Sequence, residues 1–163
     1  MSGADQLSAP GISIRSPRNG DRRGLENVYL SDSFSAFAPT SPDKATVAAT
    51  VDANLGELRQ NSRKFIFRVA SDVDAVVGFA ICCQKRSGRW ELQVGVRSDA
   101  RGRGIGTALL REMFSELGRR GPGCCEAVVH SRNLVSLRLL APFFPERGVH
   151  KSMAGFLMCV SHW

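Results

Sequence analysis

The chain has 163 residues, of which 43% are hydrophobic and 7 are prolines, the composition of one folded domain and not of a fibrous or disordered protein. Its 22 basic against 15 acidic residues give a formal charge of +7, which suits an anionic ligand but is too diffuse to name one. No apolar run approaches the ~20 residues that cross a bilayer, and Cys82, Cys83, Cys124, Cys125 and Cys159 lack the C-x-x-C spacing of a zinc site and the even count of a disulfide framework.

The first ten residues, MSGADQLSAP, carry neither a basic n-region nor an apolar h-region and are expected to be a disordered leader, 1–10, on a single domain, 11–163. A cytoplasmic location, no metal and no membrane partner are the matching expectations. Neighbouring residues on a strand point to opposite faces, so neither cysteine doublet aims two sulfurs at one metal; all five read as small buried hydrophobes.

The alternation in Ile12 to Arg15 predicts a short strand, followed by the turn-rich SPRNGD. Leu25, Val28, Tyr29 and Leu30 place a helical stripe within Arg22 to Phe37. A second helix is expected from Pro42 to about Gln60, with Ser41 as its capping hydroxyl and proline at the first helical position. The period then turns extended: KFIFRVAS, AVVGFAICCQ and RWELQVGVR read as three strands, the last two joined by a KRSG hairpin.

The next segment, RSDARGRGIG, holds alternate glycines and feeds a helix whose apolar stripe is Ile105, Leu109, Met113 and Leu117, with Gly118 as its stop. A strand CCEAVVH, a helix from about Asn133 to Ala141 ended by Pro142, and an extended MAGFLMCV complete the chain. The order β-α-α-β-β-β-α-β-α-β predicts an α/β (α+β) mixed sheet with helices on both faces.

A helix N-terminus leaves backbone N–H groups unpaired and carries partial positive charge, so a glycine-rich approach to it admits phosphate oxygens. A dinucleotide fingerprint fails here, because G-x-G-x-x-G counted from Gly102 ends on Thr107 and from Gly104 on Leu109. A P-loop fails because the loop has no lysine. A plain tight turn would need only one or two glycines and would leave Arg101 and Arg103 without a purpose.

What the loop does match is R-x-x-G-x-G, read as Arg101, Gly104 and Gly106 after a VGV strand end. With the preceding three-strand meander, the long helix after it, and Asn133 and Ser136 in an N-x-x-[AS] pattern, the chain resembles the GNAT superfamily of acyl-CoA-dependent N-acyltransferases over most of its length. The resemblance implies acetyl-CoA as co-substrate, bound by Arg101, Gly102, Arg103, Gly104, Ile105, Gly106, Thr107, Asn133 and Ser136, with its pyrophosphate on the backbone of Gly102 to Gly106. It implies a bulge at Gly95 that splays the strand, with Val94 and Val96 bonding the pantetheine arm and the Val96 N–H polarising the thioester. Gly95 alone is equally a simple kink.

The family acts by direct attack of an amine on the thioester, which implies an acetyltransferase with an amine acceptor as partner. Glu91, on the strand leading into QVGV, is the first candidate base and His130, at the end of CCEAVVH, the second. Each is otherwise an ordinary solvated or satisfied side chain. The tyrosine common seven residues after the family's asparagine is Leu140 here. A degenerate module that binds CoA, or RNA through its basic surface, is the alternative, with nucleic acid the weaker partner expectation and a homodimer left open. The resemblance implies an acceptor pocket shaped by the first two helices and the loop between them, around Phe34 to Asp43, where apolar character favours a small or hydrophobic amine.

Overall fold

The computed structural model describes residues 10–31, 36–37, 41–149 and 154–163. Residues 1–9, nearly all of the expected leader, and 34, 35 and 38–40 of the expected acceptor segment lie outside them. The elements in chain order are β1 (Ile12–Arg15), α1 (Arg22–Tyr29), α2 (Lys44–Gln60), β2 (Phe65–Asp72), β3 (Ala75–Gln84) and β4 (Trp90–Val96). Then come α3 (Ile105–Arg119), β5 (Cys124–His130), α4 (Leu134–Leu140), β6 (Glu146–Val149) and β7 (Phe156–His162). Among the described residues the strands form one mixed sheet in the order β1-β2-β3-β4-β5-β7-β6, in which only β4–β5 is parallel.

Alternation along the strands divides the interior into two cores. Ile66, Ala80, Cys82, Trp90 and Leu92 pack with Ile105, Leu109, Met113 and Leu117 of α3 and Leu137 and Leu140 of α4. Phe65, Phe67, Val69, Phe79 and Ile81 pack on the other face with Leu25 and Val28 of α1 and Val47 and Val51 of α2. A register shift between β2 and β3 falls at Ala70/Ser71, and Val77 and Gly78, though consecutive, both meet the α3 side. This bulge brings Gly78 so near α3 that an added Cβ would lie 3.3 Å from Leu109 and 3.4 Å from Ile105.

Several elements differ from the sequence expectation for identifiable reasons. The first helix stops at Tyr29 and not Phe37: the Leu30 N–H donates to Glu26 O and the Ser31 hydroxyl to Val28 O, which closes the last turn. The second helix starts two residues late because the Asp43 carboxylate, not Ser41, accepts from the Thr46 N–H at 2.8 Å. The third runs past Gly118 to Arg119, and the left-handed residue after it is Gly121 at φ 96°. The last strand is displaced to Phe156–His162, and a strand not foreseen, β6, pairs with it at the sheet edge. All five cysteines are free; Cys82, Cys125 and Cys159 are buried as expected, while Cys83 and Cys124 are only half-buried.

Candidate active site

The parallel pair β4–β5 is joined only at Trp90↔Cys125 and Glu91↔Glu126, and beyond those residues the two strands part. The opening becomes a cleft of about 900 Å³ whose walls include Leu92 to Val96 on one side and Ala127 to His130 on the other, within the size range of small-molecule sites. The expected bulge at Gly95 is absent. Gly78↔Val96, Phe79↔Gly95 and Ala80↔Val94 continue an unbroken ladder down to Gln84↔Trp90. The strands therefore diverge because pairing ends on the β5 side, with no extra residue inserted in β4.

Backbone direction follows from one hydrogen bond. The Arg97 N–H donates to Val77 O on β3 at 2.8 Å, and alternate residues of an antiparallel strand turn their peptide groups to the same side. Gly95 therefore faces β3, as does its carbonyl oxygen, 3.0 Å from the place of a Gly78 Cβ. Val94 and Val96 turn their peptide groups the other way, toward β5 and into the cleft.

Following β4, the chain makes a short 3-10 turn over Ser98–Ala100 and reaches Gly102 and Gly104, each at φ 75°. Only glycine adopts that left-handed geometry without strain. Gly104 is the N-cap of α3 and supplies no side-chain hydrogen bond, although its carbonyl accepts the first helical bond, from Ala108. The contrast is with α2 and α4, where Asp43 and Asn133 cap the helix. Among the described residues, the N–H groups of Ile105, Gly106 and Thr107 thus open the helix with no side-chain acceptor, at the positive end of the dipole and on the cleft wall.

Gly102, Gly104, Ile105, Gly106, Thr107, Arg101, Asn133 and Ser136 all line this cleft. Arg103 does not: its guanidinium lies against Asp72 at the end of β2, Nη1 to Oδ2 2.6 Å. Asn133 spends its carbonyl oxygen on the Ser136 N–H at 3.1 Å, which fixes the first turn of α4. Leu140, which stands where a tyrosine was sought, is a buried side chain of the α3–α4 core that touches the cleft.

Glu91 lines the cleft on the face that meets α1 and α2, but its side chain is 42% exposed and bound to Lys85 Nζ at 3.0 Å. That is not the buried setting sought for a base. His130 is held more closely. Its ring stacks on Phe37 with centroids 5.0 Å apart and meets the edge of Phe156 at 4.9 Å. The Arg132 N–H donates to His130 Nδ1 at 3.2 Å, which puts the proton of the neutral ring on Nε2. In that form of the ring Nε2 is a hydrogen-bond donor.

Sequence reasoning missed a second polar group in the cleft. Asn54 Nδ2 donates to the Tyr29 hydroxyl at 3.1 Å, and Tyr29 donates to Gln93 Oε1 at 3.0 Å. Asn54 and Gln93 line the cleft, while Tyr29 is 5% exposed and stacks on Phe79; burial raises its hydroxyl pKa well above the ordinary value. A signal was present: Asn54 follows Val51 by three residues and Val47 by seven, a polar residue on the apolar stripe of α2. Cys83 also lines the cleft, and burial pushes its thiol upward in pKa. Among the described residues, no three His, Cys, Asp or Glu side chains gather into a metal-binding group.

The Acetyltransferase (GNAT) family profile matches residues 25–143. No curated protein sequence matches the chain significantly. Among solved structures, the chain is similar to the ribosomal-protein-alanine N-acetyltransferase of Brucella melitensis, at 24% identity, TM-score 0.71, 91% of this chain and 96% of that one. It is similar to PaiA N-acetyltransferase of Thermoplasma acidophilum, solved with coenzyme A, at 16% identity, TM-score 0.71, 93% of this chain and 99% of that one. A third likeness is a phosphinothricin acetyltransferase of Sinorhizobium meliloti with acetyl-CoA, at 22% identity, TM-score 0.66, 92% of this chain and 86% of that one. With the family profile spanning both walls of the split sheet and the loop at its end, the chain belongs to the GNAT acetyltransferase family.

Proposed function

We infer that the protein transfers an acetyl group from acetyl-CoA to a primary amine by direct attack within a ternary complex. The observation that carries this reading is the junction of an uncapped α3 N-terminus with the β4–β5 split in one continuous cleft. The first suits a pyrophosphate, and the second suits an extended arm that bonds the outward peptide groups of Val94 and Val96. Arg101, Thr107 and Ser136 line the same cleft, which supports a part for them in holding the donor.

In the transfer, the amine nitrogen bonds to the acetyl carbon, the carbon–sulfur bond breaks, and the electron pair leaves on the CoA sulfur. The Val96 N–H serves the developing oxyanion. The amine gives up one proton, for which Glu91, through water, is the acceptor among the cleft residues. With Leu140 offering no hydroxyl, the His130 Nε2–H serves as a hydrogen-bond donor to the departing thiolate, which leaves as the anion and takes its proton from solvent. Holding both substrates in the cleft supplies much of the acceleration.

The RNA-binding alternative gains no support from the surface. Arg15, Arg22, Arg68, Arg89, Arg97, Arg103, Arg119 and Arg120 are in ion pairs with carboxylates, so each of these cations is already partnered by the protein. The test is direct. Acetyl-CoA at millimolar concentration raises the melting temperature, and with a competent amine the protein releases CoA thiol together with the acetylated amine. No thermal shift with any acyl-CoA overturns the reading.

A further inference from the structure

The Tyr29 relay has a polarity that restricts what the cleft accepts. A phenol has one proton. Asn54 donates to the Tyr29 oxygen, so that proton goes to Gln93 Oε1, and Gln93 is left presenting its Nε2 amine while Asn54 presents its Oδ1. Neither of those two atoms has a hydrogen-bond partner among the described residues. Gln93 is exposed and Asn54 half-buried, and both lie on the cleft. The tyrosine that orients them is packed on Phe79 with ring centroids 4.6 Å apart, so the pair of amides is set by the core and not by the ligand.

Gln93 immediately precedes Val94 on β4 and shares a face with Gly95, about 7 Å along the strand. Its amide therefore stands next to the acceptor side of the reacting centre, on the α1/α2 face. The same region holds Phe37, Phe65, Ile81 and Phe156. Its carboxylate, Glu91, is already paired with Lys85, so a polycation finds no uncommitted carboxylate among the described residues of the cleft.

Resting on the acetyltransferase reading, we propose that Gln93 and Asn54, oriented by Tyr29, select an acceptor whose amine lies next to a carbonyl or carboxamide oxygen. An amino-acid amide or the N-terminal residue of a peptide has this form: the oxygen accepts from Gln93 Nε2, and an N–H of the acceptor donates to Asn54 Oδ1. A simple alkylamine leaves both buried on binding without partners, a loss of discrimination that polar sites enforce strongly. Tyr29 is a positioning residue here.

Two non-reacting conjugates test the inference without turnover. Each joins the CoA sulfur through an acetyl linker to an amine, glycinamide in one and butylamine in the other, and affinities are measured by calorimetry beside CoA alone. The wild-type protein binds the glycinamide conjugate about tenfold more tightly, a gap of about 1.4 kcal/mol. Gln93→Leu and Tyr29→Phe each close most of that gap and leave the affinity for CoA alone unchanged. Tyr29→Phe keeps the ring on Phe79, so it reports on the hydroxyl even if Gln93→Leu does not fold. Equal wild-type affinities for the two conjugates, a gap that survives both variants, or tighter binding of a cationic ethylenediamine conjugate overturns the inference and leaves the donor reading standing. Failure of CoA alone to bind overturns the donor reading itself.

Discussion

Gly104→Ala is expected to weaken acetyl-CoA binding by about 100-fold, roughly 2.7 kcal/mol, while lowering folding stability by only about 1–2 kcal/mol. The stability term comes from forcing a Cβ into the left-handed region, where Gly104 sits at φ 75°. The affinity term has a different origin. Apart from its chain neighbours, no described residue lies within 4 Å of that Cβ, so the methyl group takes up open space beside the α3 N-terminus, where the proposed phosphate would bind. Charge-assisted hydrogen bonds of this kind contribute about 1.5–3 kcal/mol each, and displacing one or two accounts for the loss. Gly88→Ala supplies the control. Gly88 has φ 84° and equally open surroundings, but it sits on the β3–β4 hairpin, away from the cleft. It is expected to show the same strain by chemical denaturation and no change in acetyl-CoA affinity by calorimetry. Equal affinity losses in the two variants contradict the assignment of the loop.

Phe79→Ala is expected to cost about 3–5 kcal/mol of stability, a large share of the 5–15 kcal/mol typical of a domain. Phe79 is 0% exposed, stacks on Tyr29 and meets the edge of Phe67 with centroids 6.2 Å apart. It joins α1 to the centre of the sheet, and the cavity left by its ring lies between elements that cannot all collapse together. Urea titration reads the effect as a shift in midpoint at constant slope. A loss under about 1 kcal/mol contradicts the packing described. Donor affinity in the folded protein is expected to hold, because Phe79 packs on the face of the sheet opposite Ile105 and Leu109.

The parts of the fold written in local periodicity were legible in the chain. AVVGFAICCQ and CCEAVVH coincide with β3 and β5, and the four-residue stripe of Ile105 to Leu117 lies within α3. The glycine loop on the cleft was legible for the same reason: Gly102, Gly104 and Gly106 alternate within one short stretch of backbone. β6 was hidden because ERGV, preceded by Pro145, carries no apolar alternation, and an edge strand bonded on one side needs none. The cause of the split was hidden too. Gly95 suggested a bulge, but the strands part where β4–β5 pairing ends, which depends on two segments more than thirty residues apart. Arg103 looked equivalent to Arg101 until Asp72 was found beside it. The Tyr29, Asn54 and Gln93 group spans 64 residues of chain between its ends, and no local motif can announce it.

The central claim is that acetyl-CoA occupies the β4–β5 split with its phosphates on the α3 N-terminus. A crystal structure of the full chain with acetyl-CoA tests it most directly. The account predicts the pyrophosphate against the backbone N–H groups of Gly102 to Thr107, and the pantetheine arm between Val94–Val96 and Ala127–Val129. Acetyl-CoA bound elsewhere, or a complex in which β4 and β5 close on each other beyond Glu91, would contradict it.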